Sequence, residues 1–347
     1  MNRWKNKNKV FSKSILMAVL ALIMIFSAAC VAGETGATLD PSATVAPSAS
    51  PQATTSVPGA SPTAVPTPTP EPQPLPEATL SLDKLEEYED YLNKNNDFVG
   101  KISIPGTKLD YPVVQYTDDV YYVYHNFDEK KSAEGAIFLG IDASLPEDTK
   151  NMVLHGHNMK DNSNYGRMFG YLHEYSTNSN RAGAKGLDFY KEHPTVDFDT
   201  IYGDQQYKIF AFMYIDVSEP EDRKDPLFFY LYNDFESDEQ FMQFVTEVQR
   251  RSLIETTVDV NEEDEILLLS TCDTNGLFKG PNGETLGHFV VAARKLRDGE
   301  SADVDVDGAK IAENPLMDAR WYSKGYGDKA PEFEDRDEKA PWFYYAD

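Results

Sequence analysis

The chain has 347 residues, of which 41% are hydrophobic and 26% charged, a composition that excludes a wholly disordered chain, a collagen and a coiled-coil rod. Its 32 Lys and Arg stand against 58 Asp and Glu, and a net charge of −26 excludes nucleic-acid binding by phosphate neutralisation. Two cysteines, Cys30 and Cys272, are too few for a disulfide framework.

The first predicted element is a targeting segment over residues 1–36. Arg3, Lys5, Lys7, Lys9 and Lys13 precede the uncharged run from Ile15 to Ala32, the order of a signal peptide or signal anchor. At about 1.5 Å per residue that run reaches roughly 27 Å, enough to cross a bilayer core. Ser27-Ala28-Ala29-Cys30 also resembles a bacterial lipoprotein cleavage site, with Ser27 where Leu is usual. Either arrangement leaves the rest of the chain on the outer face of a membrane. Residues 37–80 hold eleven of the 21 prolines and no aromatic residue. Such a stretch cannot bury enough apolar surface to fold, so it is expected to be an extended stalk, partly polyproline II.

Residues 81–298 carry the patterns of a folded domain. Leu82, Leu85, Tyr88, Tyr91 and Leu92 recur at helical spacing, predicting an amphipathic helix over 81–94. Short apolar runs follow at 102–104, 111–114, 136–140, 152–154 and 207–214, separated by Gly, Pro, Asn or Asp. That alternation predicts a mainly β sandwich or barrel. Phe241, Phe244, Val245 and Val248 mark one face of a helix over 238–251, and buried strands are expected at 265–269 and 289–293. Residues 299–347 form an acidic tail. Its Trp321, Tyr322, Trp342, Phe343, Tyr344 and Tyr345 suggest that it lies against the domain.

Two strand ends carry candidate chemistry. Cys272 follows the most apolar strand, in Leu269-Ser270-Thr271-Cys272-Asp273, where a rigid sheet can present a nucleophile; the alternative is a buried structural cysteine. His157 is expected to end the strand begun at Met152 and to share a face with His155. That spacing leaves open a metal pair, a catalytic histidine with a polar neighbour, or a histidine without a role. A thiol nucleophile needs an imidazole to take its proton or to pair with the thiolate. The His155/His157 pair would instead suit a metal-dependent hydrolase, but that reading leaves Cys272 unexplained.

Gly156-His157-Asn158-Met159 and Leu269-Ser270-Thr271-Cys272-Asp273 resemble the histidine and cysteine motifs of sortases. Gly100 to Thr107, Asp110 to Gln115, Gly135 to Leu139 and the helix before the cysteine strand are similar to class B members in particular. The resemblance covers about Leu82 to Asp298. It implies a sortase-like β-barrel with an N-terminal helix and an extra helix before the cysteine strand. It also implies a membrane-anchored transpeptidase at a Gram-positive cell surface. Cys272 would cleave a C-terminal sorting motif of a secreted protein and hold a thioacyl intermediate. An amine of a peptidoglycan precursor or a pilin would then resolve it, with His157 as general acid and base. The family requires no metal or organic cofactor. His155, Ser270, Thr271 and Asp273 would support or bind substrate.

Two positions depart from the family pattern. His155 stands where Tyr is usual, and His288 stands where the catalytic arginine opens the last strand. An imidazolium at His288 would supply the oxyanion's charge only while protonated, so activity is expected to fall above neutral pH. Lys279 is a second candidate cation. Arg294, six residues along the strand from His288, is about 20 Å away and out of reach. The departures keep open a second reading, a protein that binds sorting signals or pilins without turning them over.

Overall fold

The computed structural model describes residues 82–317, except 147–148, 162–163, 179–182, 217–226, 228 and 274–286. The targeting and stalk segments, Lys279 and the aromatic residues from Trp321 onward therefore lie outside the described residues. Among the described residues no helix is long and apolar enough to cross a membrane.

Two short helices, α1 (Leu82–Glu87) and α2 (Glu89–Lys94), stand where one helix is expected. The break falls at Tyr88, whose buried ring meets Phe98 edge-on at 5.2 Å while Tyr91 stacks on Phe98 at 5.0 Å. The two tyrosines thus share one phenyl ring. The strands are β1 (Phe98–Ser103), β2 (Asp110–Val114), β3 (Ile137–Leu139), β4 (Asn151–His155), β5 (Asn158–Asp161), β6 (Asn164–Met168), β7 (Thr195–Thr200), β8 (Gln206–Asp216), β9 (Ile254–Glu255), β10 (Ile266–Cys272), β11 (Gly287–Lys295) and β12 (Lys310–Ile311). Eight of them close a barrel in the order β1-β2-β3-β4-β10-β11-β8-β7. The pairs β2–β3 and β4–β10 are parallel and the remaining pairs antiparallel.

Alternation along the strands sorts side chains into two layers. Met152, Leu154, Leu267, Leu269, Phe289 and Val291 join apolar residues from the other strands in the barrel interior. After α3 (Tyr121–Tyr124) and α4 (Leu187–Glu192) comes the longest helix described, α5 (Asp238–Arg251); Val153, Ile266, Leu268, Val290 and Ala292 face outward under it, packing on Phe241, Phe244, Val245 and Val248. Both faces of β10 are therefore covered, which is why its sequence reads as a continuous apolar run. Ser237 caps α5, its hydroxyl accepting the Gln240 N–H at 3.2 Å.

Beyond residue 298 the chain remains packed as far as it is described. Glu300 pairs with Arg294 and with Lys208, β12 pairs with β9, and Leu316 and Met317 are buried. Arg294 lies at the far end of β11, opposite Ile266, and is only 1% exposed.

Candidate active site

Cys272 is the last residue of β10 rather than the first beyond it, and it is fully buried. Its parity is that of Ile266 and Leu268, so its side chain stands on the outer face of the barrel, where it packs with Val114, Tyr122, Val123, Ala136 and Phe138. Tyr122 and Val123 belong to α3 (Tyr121–Tyr124), a single helical turn laid over the end of β10. The chemistry considered below belongs to the thiol form of Cys272.

The carbonyl oxygen of Cys272 accepts two hydrogen bonds, from Asn158 Nδ2 at 3.0 Å and His173 Nε2 at 2.9 Å. Those two nitrogens lie 3.0 Å apart. Because a carbonyl only accepts, this is a contact between two donors that share one acceptor. Asn158 and His173 thus fix the backbone at the candidate nucleophile. Neither stands out in the sequence as such an anchor. Asn158 follows the Gly-His pair directly, but His173 is brought in by the 3₁₀ segment Phe169–Tyr175 and has no local signature.

His157 does not sit on the strand expected to carry it. β4 ends at His155, the last residue in register with β10, opposite Ser270. Gly156 donates its N–H to the Ser270 carbonyl at 3.1 Å, and a Cβ there would lie 2.8 Å from Phe169. The chain can cross Phe169 only as glycine, and His157 follows on an irregular turn. Its Nε2–H donates to the Val123 carbonyl at 2.9 Å, which leaves the lone pair of the neutral ring on Nδ1. Val123 therefore holds His157 through its carbonyl and belongs to the same buried cluster as Cys272. Gly135, at φ +60°, brings its backbone against the same ring: a Cβ there would stand 3.0 Å from His157 Cδ2. Burial lowers the pKa of His157, and the hydrogen bond to Val123 partly opposes that shift.

His288 is the cross-strand partner of Cys272, so the two share the outer face. Its Nδ1 lies 2.9 Å from Ser270 Oγ, and the Phe229 ring is centred 6.4 Å away. At 7% exposed, its pKa is pushed down by burial to about 4. The imidazolium expected at this position is therefore absent at neutral pH, and the expectation of an alkaline fall governed by His288 is corrected accordingly. His155 stacks on Phe138 at 5.2 Å between ring centres, and its pKa falls to about 3 through burial and the nearby His288.

Of the expected supporting residues, Ser270 shares the face of Cys272 and His288. Thr271 alternates to the interior side, opposite Phe289, with its hydroxyl buried and without a hydrogen-bond partner among the described residues. Asp273 is fully buried just past the strand and donates its N–H to the Gly287 carbonyl at 2.7 Å. Arg294 is occupied at the far end of β11 by Glu300 and by the Asp259 carbonyl. Among the described residues no group of three or more His, Cys, Asp or Glu side chains is arranged to hold a metal ion. The metal-pair reading also loses its strand geometry, since His157 lies beyond the strand that carries His155.

The chain matches the model of the sortase domain over residues 102–295, more than half its length. It is 31% identical to Sortase B of Staphylococcus aureus over 211 residues, covering 61% of this chain and 75% of that protein. Sortase B of Listeria monocytogenes is 31% identical over 189 residues, covering 54% of this chain and 68% of the relative. The crystal structure of Staphylococcus aureus Sortase B superposes with a TM-score of 0.50 at 29% identity, over 61% of this chain and 87% of that one. A mutant form of Clostridium perfringens sortase B gives the same TM-score at 25% identity, over 61% and 87%. The barrel, the helix before the cysteine strand and these likenesses agree: the chain belongs to the sortase family of cysteine transpeptidases, in its class B.

Proposed function

We propose that Cys272 attacks the carbonyl of a C-terminal sorting motif in a secreted protein and retains the acyl fragment as a thioester. An amine of a peptidoglycan precursor or a pilin then displaces the thiolate and completes the transfer. The observation that carries this reading is that Val123, whose carbonyl holds His157, lies in the buried cluster of Cys272, with the backbone of Cys272 fixed by two donors. With Nε2–H committed to a carbonyl, His157 works through Nδ1. Nδ1 takes the thiol proton, returns it to the leaving amine, and accepts one again from the incoming amine. Lowering of its pKa by burial favours the neutral ring as base at neutral pH. Residues 1–36 would hold the enzyme at the outer face of a Gram-positive membrane, and residues 37–80 would set the reach of the domain from that surface.

The deciding experiment is mass spectrometry of the reduced protein after incubation with a library of sorting-motif peptides. A thioacyl adduct on Cys272 is expected, and none in Cys272→Ala; turnover by that variant would remove the assignment. One observation favours a second reading, binding without turnover: the neutral His288 in the place of the family's arginine. Peptide retention by the reduced protein without any adduct would select it.

A further inference from the structure

The two positions at which this chain departs from its family meet at one residue. His155 is the register partner of Ser270 across β4 and β10, and His288 reaches Ser270 Oγ with Nδ1 at 2.9 Å across β10 and β11. We propose that Ser270 is a positioning residue that holds His288 in its Nε2–H tautomer. A neutral imidazole N–H then replaces the guanidinium as donor to the reacting carbonyl. The inference rests on the reading of Cys272 as the acylated residue.

The tautomer follows from the hydroxyl. Ser270 is fully buried, and among the described residues the hydrogen-bond partner of its Oγ is His288 Nδ1. A hydroxyl carries one proton and must place it on an acceptor. If Nδ1 carried the ring proton, it would donate to Oγ and leave the hydroxyl proton buried without an acceptor, the more costly arrangement. With Ser270 donating, Nδ1 is the acceptor and the ring proton resides on Nε2, on the side of the ring turned away from Ser270. His288 is the cross-strand neighbour of Cys272 and shares its face of the sheet. The N–H that Ser270 sets is therefore offered on the face that carries the nucleophile. Burial keeps the ring uncharged, so the donor available at neutral pH is set by the tautomer and not by a protonation step.

The test uses the reduced full chain, labelled with 15N in its histidines, and reads the ring nitrogens of His288 by long-range proton–nitrogen correlation, with the signal assigned by its loss in His288→Gln. The expected wild-type pattern is Nε2 protonated and Nδ1 unprotonated, and Ser270→Ala should yield a mixture of the two tautomers. With the peptide that acylates Cys272, Ser270→Ala is expected to lower kcat about three- to tenfold with KM unchanged, the size of one lost hydrogen bond. His288→Gln, whose amide nitrogen reaches the Nε2 position, should retain most of the wild-type kcat. His288→Asn, whose amide ends at the Nδ1 position, should not. A wild-type Nδ1–H tautomer overturns the proposal, as does a Ser270→Ala variant with unchanged tautomer and unchanged kcat. If no peptide acylates Cys272, it is the functional reading that fails, and the spectra still decide the tautomer.

Discussion

Lowering the pH from 7 to 5 should destabilise this fold through histidines that the structure keeps neutral. His155 is held at about 3 by burial and by nearby His288, whereas an unfolded histidine titrates near 6.5. Below 6.5 the unfolded chain takes up a proton that the folded chain refuses, so stability falls as pH drops and goes on falling until the folded pKa is reached. At about 1.4 kcal/mol per pH unit, His155 alone costs about 2 kcal/mol at pH 5. His288, at about 4, adds a similar amount, and His157 acts in the same direction. Asp119, raised to about 6 chiefly by burial, works the other way, so the total is not a clean readout. The comparison of interest is wild type against His155→Phe, which keeps an aromatic ring against Phe138 and cancels every other titration. Urea unfolding followed by near-ultraviolet circular dichroism at both pH values should show the variant losing about 2 kcal/mol less than wild type on acidification. Equal losses would refute the argument, because His155 would then titrate in the folded chain as it does in water.

Three further outcomes follow from the site and its supports. His157→Ala should lower peptide transfer at least about a hundredfold, the lower bound for a lost general acid–base group, while His155→Phe retains most activity; equal losses in that assay would restore the metal-pair reading. Asn158→Ala removes one of two donors to the Cys272 carbonyl and should cost about 1 kcal/mol of stability together with a fall in kcat; unchanged thermal unfolding and an unchanged rate would show that His173 suffices. Glu300→Ala leaves the buried Arg294 guanidinium short of its main partner and should cost about 2–4 kcal/mol by urea unfolding at neutral pH. Because Arg294 holds the Glu300 carboxyl well below its ordinary range, that penalty should shrink as pH falls below about 4.5; a penalty independent of pH would assign the loss to packing instead.

Local patterns carried much of the fold. Helix α5 spans Asp238–Arg251, the limits that Phe241, Phe244, Val245 and Val248 suggest, and β10 and β11 lie where apolar runs place them. What escaped is set by distant neighbours. The helix over 81–94 divides at Tyr88, which packs with Tyr91 on Phe98. Extending period-2 alternation to His157 fails because Phe169 lies under Gly156 and ends the strand. The charge of His288 was misjudged for the same reason: a sequence shows an imidazole but not the shell that excludes water from it.

The parallel pairing of β4 with β10 has a consequence for when this molecule becomes reactive. His155 and Ser270 are neighbours in register although more than a hundred residues of chain separate them. Closing so long a loop has an entropic cost that the contacts themselves must offset, so such pairings form late in folding. His157 and Asn158 are synthesised well before Cys272, yet they gain their geometry around it only when β10 docks beside β4. β11 must then pair along β10 to bring His288 alongside. A chain whose barrel is still open would therefore carry its thiol without the groups proposed to activate it. Chemistry would begin only once the barrel had closed.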